Sequence, residues 1–251
     1  MSALQSQRAW ITGASSGIGA ATAKLLSAEG AYLILSARRQ DRLESLKREI
    51  EENGGKAEIL PLDVTDRSAV FTAGEKLEKE GGVDILINNA GIMPLSPMAK
   101  GRVDDWDRTI DVNIKGLLYT THAVLSGMIQ RKKGHIVNLG SVASRVAIPT
   151  GAVYCGTKFA VAAISEALRK EVLQYGIRVT IIEPGAVATE LANSITDEEV
   201  RKMVTSQQGF YAPHLEILTS EDIARAILYC VSQPPRVNVC ELLVRPQIQE
   251  L

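Results

Sequence analysis

Thr12-Gly13-Ala14-Ser15-Ser16-Gly17-Ile18-Gly19 is the stretch on which the reading of this chain turns. It grows out of a short apolar run at 9–12 and leads straight into residues 18–28, whose apolar spacing is helical. Strand, glycine turn and helix in that order make a nucleotide-binding unit, because glycines let backbone N–H groups and the helix N-terminus approach a pyrophosphate. The spacing, Gly-x-x-x-Gly-x-Gly, is one residue longer in its first interval than the usual dinucleotide fingerprint. The same residues also read Gly-x-Ser-x-Gly around Ser15, the nucleophile elbow of a hydrolase.

Outward from the loop, short β-rich runs alternate with longer helical segments, the pattern of a parallel sheet covered by helices. Strands are expected at 9–12, 32–36, 58–62, 85–88, 136–139, 178–182 and 241–244, several of them continuous apolar runs. Helices are expected at 18–28, 40–53, 66–80, 104–131, 152–174 and 221–232, with Asp66, Thr150 and Ser220 as N-caps. The expectation is α/β: a single domain over 1–251, a Rossmann-type doubly wound parallel sheet of about seven strands. Residues 186–219 are polar and mixed and follow the sixth strand, where the carboxyl ends of such a sheet form a ligand crevice; they read as a substrate lid.

Composition removes other classes. In 251 residues, 45% hydrophobic and 23% charged side chains exclude a disordered or fibrous chain. Lysine and arginine number 28 against 29 acids, so a general nucleic-acid binder is not expected. Arg131-Lys132-Lys133 reads as a helix C-terminus neutralising its dipole. No run approaches ~18 apolar residues and MSALQSQRAW lacks a signal core, which predicts a soluble cytoplasmic protein without membrane partners. The 3 cysteines form no CxxC pair, so neither a disulfide framework nor a zinc site is expected. Asp104, Asp105 and Asp107 read as helix-start acids rather than metal ligands.

After the second expected strand comes Ser36-Ala37-Arg38-Arg39. An NAD site places a carboxylate there for the ribose hydroxyls, whereas two guanidinium groups fit a 2′-phosphate and stack on adenine. The loop and the arginine pair together favour NADP. Further on, Tyr154 and Lys158 begin an apolar helix at i,i+4 spacing, on one face. A free phenol titrates near ~10, and an ammonium ~4 Å away at an effective dielectric of ~20 favours phenolate by about 4 kcal/mol, roughly three pH units. Ser141, just past the strand at 136–139, is expected at the same crevice, where its hydroxyl can orient a carbonyl.

Residues 12–19, Asp63-Val64, Asn88-Asn89-Ala90-Gly91, Asn113, Ser141, Tyr154 with Lys158, and Pro184-Gly185 with Thr189 stand in an order that resembles the short-chain dehydrogenase/reductase family over nearly the whole chain. The resemblance implies an NADP-dependent oxidoreductase without metal, acting on a small carbonyl or alcohol as a homotetramer. It implies Tyr154 as acid–base group, Ser141 bonding the substrate oxygen, Lys158 on the nicotinamide ribose and lowering the tyrosine pKa, and Asn113 helping to hold a proton-relay water. For the cofactor it implies the loop residues Gly13, Ser15, Ser16, Gly17, Ile18 and Gly19, the pair Arg38 and Arg39, and Asp63 with Val64 at the adenine. Asn89, Ala90 and Gly91 are implied near the adenine's ribose, and Pro184, Gly185, Val187 and Thr189 beyond them, with Thr189 on the carboxamide. Family pockets draw on Met93, Ser141, Val142, Ala143 and Tyr154, with Tyr211 from the lid. The ending Val239-Cys240-Glu241-Leu242-Leu243-Val244-Arg245-Pro246 replaces the glycine-rich tail of many relatives. With Ile182-Glu183-Pro184-Gly185 it is similar to the NADP-dependent branch holding clavulanate dehydrogenase and 3-hydroxy acid dehydrogenases.

The hydrolase reading needs a histidine and an acid after Ser15, yet His122, His135 and His214 stand in no triad context. A non-catalytic NADP-binding regulatory module leaves intact Ser141, Tyr154 and Lys158 unexplained. The expected reaction is hydride transfer between a ketone or keto ester and a secondary alcohol. A 3-hydroxy acid is the alternative substrate, its carboxylate needing a cation such as His214 or Arg201 turned inward from the lid.

Overall fold

The computed structural model describes residues 4–249 except 208, 210, 213 and 214. Seven strands alternate with helices: β1 (Arg8–Thr12), α1 (Gly17–Ala28), β2 (Tyr32–Ala37), α2 (Gln40–Glu52), β3 (Lys56–Pro61), α3 (Arg67–Lys79) and β4 (Ile85–Asn88) form the first half. The second half holds α4 (Val103–Ile110), α5 (Leu117–Arg131), β5 (Gly134–Leu139), α6 (Ala152–Val172), β6 (Ile177–Pro184), α7 (Glu198–Thr205), α8 (Ser220–Val231) and β7 (Glu241–Val244). The strands form one parallel sheet in the order β3-β2-β1-β4-β5-β6-β7.

Both faces of the sheet are buried, and the two-residue period of a strand assigns each side chain to a face. Ala9 and Ile11 of β1, with Leu33 and Leu35 of β2, enter the core under α1, α2 and α8. Trp10 and Ile34, between them, enter the opposite core against α3, α5 and α6. The order reverses between β1 and β4, so the chain leaves toward opposite faces there and a crevice opens above their carboxyl ends.

The expected helix at 104–131 is interrupted by a π-helical turn, Asp111–Gly116. Two attachments account for it. Asn113 bonds the backbone of Ile92 on both sides, and Gly116 lies so close to Val64 that a Cβ there would come within 2.7 Å of its Cγ2. Asp66 caps α3 as expected, accepting from the Ala69 N–H. Thr150 does not cap α6: it adopts φ +66° and Gly151 takes the position. Thr219, not Ser220, caps α8, through a reciprocal pair with Asp222 that satisfies two N–H groups at once. The segment 186–219 begins and ends side by side, Val187 bridging Leu218, and carries the unexpected α7. No described helix is long and apolar enough to cross a membrane.

Candidate active site

The glycine loop closes the crevice floor by contact with the backbone after β4. A Cβ on Gly13, whose φ is +65°, would meet Asn89 Nδ2 at 2.8 Å and Ala90 Cα at 2.9 Å. A Cβ on Gly19 would lie 2.5 Å from the Gly13 carbonyl oxygen. Asn89 Nδ2 donates to the carbonyls of Thr12 (3.0 Å) and Gly13 (3.2 Å), while Thr12 Oγ1 accepts from the N–H groups of Asn89 and Ala90. The side chain of Ser16 makes no capping bond to α1, so the first N–H groups of that helix remain available to an anion. A cavity of about 1110 Å³ runs from this floor to Tyr154 and Tyr211, large enough for a dinucleotide and a small substrate together. It is walled by every predicted cofactor residue except Gly19, which lies beneath the loop.

At the nucleotide end, Arg39 lies across the loop. Its Nε and Nη2 donate to Ser15 Oγ (3.1 and 2.9 Å), Nη2 also to Ser16 Oγ (2.7 Å), and Nη1 to Glu190 Oε2 (2.8 Å). Arg42 Nη1 donates to the other Glu190 oxygen at 2.6 Å. Those two guanidinium groups hold the Glu190 carboxyl far below the usual carboxylate range, at about 2. Arg38 is 69% exposed and leans on Asp63 at 4.0 Å. Nothing in the sequence pattern singled out Arg42 or Glu190.

At the other end, Ser141 opens a 3-10 turn, its Oγ accepting from the Ala143 N–H at 3.1 Å, and Tyr154 follows on the first turn of α6, 5% exposed. Burial pushes the Tyr154 phenol well above its ordinary value, and a hydrogen bond from Ser141 offsets this in part. Lys158 donates to the Leu139 carbonyl at 2.7 Å and stands 5.8 Å from the Tyr154 ring centre. Burial pulls its ammonium down to about 8. This corrects the expectation that the ammonium brings the phenol toward neutrality. Bonded to a carbonyl and 5.8 Å from the ring centre, the lysine does not offset the desolvation of the phenolate, and burial favours the protonated phenol. Asn113 Oδ1 accepts from Ile92 N, and Nδ2 donates to Ile92 O and Thr157 Oγ1. Its side chain ties the π turn to the floor and to α6.

Around Tyr154 the wall is apolar. Met93, Leu95, Ala143, Ile195, Val200 and Val204 are buried with it, and Ile148, Leu191 and Tyr211 pack against them. The predicted pocket residues Met93, Ser141, Val142 and Ala143 all reach this end of the cavity. Val146, Ile148, Met203 and Val204 also line it and carried no sequence pattern. Side-chain contacts fasten the 186–219 segment here. Ser194 Oγ accepts from Met93 N (2.8 Å), and the buried Asp197 accepts from Lys100 (2.8 Å), Ser96 (3.1 Å) and the Val200 N–H, which hold its carboxyl at about 2. Thr196 bonds Asp105 in the same region. Arg201 is exposed on α7 and forms no part of the cavity wall; His214 lies outside the described residues.

The sequence profile of the short chain dehydrogenases matches residues 7–200. This chain belongs to the short-chain dehydrogenase/reductase family. This short-chain dehydrogenase is similar to an uncharacterised oxidoreductase of Staphylococcus saprophyticus, 45% identical over 244 residues and 96% of each chain. A glycine betaine reductase of Emericella nidulans is 42% identical over 245 residues, which are 97% of this chain and 19% of that protein. Among solved structures, the closed form of a serine dehydrogenase complexed with NADP+ aligns with TM-score 0.89 at 36% identity, covering 98% and 97% of the two chains. A gluconate 5-dehydrogenase from Burkholderia cenocepacia in complex with NADP and tartrate aligns with TM-score 0.82 at 30% identity over 96% and 94%. The sheet order and the glycine floor are thus family architecture, and the protein is an oxidoreductase.

Proposed function

We propose that this protein is an NADP-dependent carbonyl reductase and alcohol dehydrogenase whose preferred substrates are uncharged ketones or keto esters. One observation carries the reading: a single cavity holds guanidinium groups at one end and the buried Ser141–Tyr154 pair, set in apolar side chains, at the other. NADP is favoured by Arg38 and Arg39 where an NAD site has an acid, and by the NADP complexes of the serine and gluconate dehydrogenases to which the chain is similar.

When bound, the nicotinamide supplies or accepts the hydride. The chain's own residues manage the oxygen. As negative charge develops there, Ser141 Oγ orients it and Tyr154 Oη delivers the proton, a transfer suited to a phenol that burial keeps protonated. Lys158, whose ammonium titrates near 8, fixes the Leu139 carbonyl at the edge of the site and stands ready for the nicotinamide ribose. Asn113 braces the floor, and the 186–219 segment serves as a lid that excludes water. The protein is read as cytoplasmic. The homotetramer is what the family resemblance implies.

The similarity to serine and gluconate dehydrogenases favours a second reading, oxidation of a hydroxy acid. The described cations on the cavity wall are Arg38, Arg39, Arg42, Arg108 and Lys158, and each already has a partner: Asp63 for Arg38, Glu190 for Arg39 and Arg42, Asp105 for Arg108 and the Leu139 carbonyl for Lys158. A carboxylate would therefore lose its hydration there with little return. Steady-state reduction of a keto acid and its ethyl ester with NADPH tests the point: the ester is expected to be the better substrate, and higher efficiency for the free acid selects the second reading. Tyr154→Phe is expected to lower turnover by ~10²–10⁴ while NADPH binding persists. Near-normal turnover would place the proton donor elsewhere.

A further inference from the structure

We propose that Glu190 is an internal anion that competes with the 2′-phosphate of the nucleotide for Arg39 and Arg42, and thereby sets how strongly the protein prefers NADP over NAD. The inference rests on the NADP reading of the site. Its basis is the arrangement of two guanidinium groups around one carboxylate. Arg39 is held by Ser15 and Ser16 hydroxyls, which fix its fork on the glycine loop and aim Nη1 at Glu190 Oε2. Arg42, one turn along α2, takes Oε1. The result is a small anion cradle with a side chain of the protein already in it.

Glu190 comes from the far side of the cleft. It follows Thr189, whose Oγ1 accepts from the Leu191 N–H, so the backbone that carries the carboxylate is anchored beside the cofactor floor. Thr189 and Glu190 both line the cavity that holds Arg38, Arg39 and Asp63. The Glu190 side chain is 43% exposed and its partners 42% and 44%, so the bridge is solvated, modest in strength and displaceable. A phosphate monoester offers about two negative charges and three acceptor oxygens to the same guanidinium groups and outbids a single carboxylate. A ribose hydroxyl, the NAD counterpart, cannot. The intramolecular bridge thus reduces the fraction of molecules ready for NADP and leaves NAD binding nearly untouched, which narrows the preference between the two.

Calorimetric titration of Glu190→Gln and of the parent protein with NADP+, NAD+ and 2′,5′-ADP tests this without turnover. The variant is expected to bind NADP+ and 2′,5′-ADP about fivefold tighter, the scale of one exposed two-armed ion pair, with NAD+ changed less than about twofold. Glu190→Asp, one methylene too short to span both arginines, is expected to tighten NADP+ by less. If Glu190 instead straps the cleft over a bound nucleotide, NADP+ and NAD+ both weaken in Glu190→Gln, and the proposal is overturned. Equal tightening of both, or no change, overturns it as well. Absence of NADP+ preference in both the parent protein and Glu190→Gln points to failure of the cofactor reading instead.

Discussion

At the nucleotide end of the cleft, Gly13 and Gly19 leave no room for a single methyl group, and main-chain atoms of residues 13 and 90 form the walls. At the other end, the wall includes the side chains of Met93, Ile148, Leu191, Met203 and Val204, beside the 186–219 segment, proposed above as a lid and fastened through Ser194 and Asp197. The first surface is built mainly from backbone, with the Asn89 amide, and fixes one ligand shape. The second is built from side chains, of which Leu191, Met203 and Val204 lie on the 186–219 segment. The contrast assigns the seating of the nucleotide to close-packed parts and substrate choice to parts that substitution can reshape, while the choice between NADP and NAD is proposed to rest on the exposed bridge from Glu190 to Arg39 and Arg42.

The sharpest way to break that contrast is to put a side chain into the floor. Gly19→Val would set a Cβ 2.5 Å from the Gly13 carbonyl, backbone that cannot swing aside, and an overpacking cost near 3 kcal/mol corresponds to roughly 100-fold weaker NADPH binding. Calorimetric titration measures it, and a loss below about tenfold would put the floor on the same footing as the lid. The next largest effect is expected at the lid's anchor. Asp197→Asn removes the ion pair to Lys100 and should raise KM for the best substrate about fivefold, with NADPH affinity unchanged. The pH behaviour follows from its titration near 2, below the unfolded value of 3.8. The anchor's contribution is complete above 3.8 and is lost only as pH falls through 2. The fivefold difference in KM between parent and Asp197→Asn is therefore expected to be constant between pH 5 and 9, and a difference that varies with pH in that range would contradict this. The smallest effect belongs to the pocket rim. Met203 is 52% exposed, and Met203→Ala should shift KM by no more than about threefold while cofactor binding stays constant. A tenfold change in NADPH affinity would show that the two ends are mechanically one.

The same contrast explains what could be read from the sequence. A backbone surface demands particular residues at fixed spacing, so Gly13, Gly17 and Gly19 announced it, and Arg39 could be located by its distance from the loop, whereas Asn89 was expected only from the family resemblance. The sheet was legible because Trp10 and Ile34 alternate with Ala9, Ile11, Leu33 and Leu35 between two cores. Helix α7 was not, since it is short and charged and buries only Val200 and Val204, too few positions to show a period. The bridge from Glu190 to Arg42 joins residues 148 apart, and no local pattern encodes such a pairing. For Tyr154 and Lys158, spacing foretold that they share a helix face. It could not tell that the Leu139 carbonyl claims the ammonium or that burial governs the phenol. The π turn is invisible for a related reason: it is imposed by Ile92 and Val64, which come from other parts of the chain.

The pairing of β1 with β4 also bears on how long the protein lasts. β1 finds β2 nearby, Arg8 opposite Tyr32, but must wait for Ala9 to meet Ile85 before the two halves of the sheet join. Such a distant pairing costs more closure entropy and forms more slowly than a local one. Thr12 and Asn89 clasp that seam from above, on the floor where the nucleotide is proposed to lie. A ligand there is a staple across the join between the two halves of the sheet, and at a hundred times its dissociation constant it adds about 2.7 kcal/mol against unfolding. Resistance to limited proteolysis is therefore expected to rise with NADP+ concentration, a comparison of digestion with and without nucleotide being the measurement.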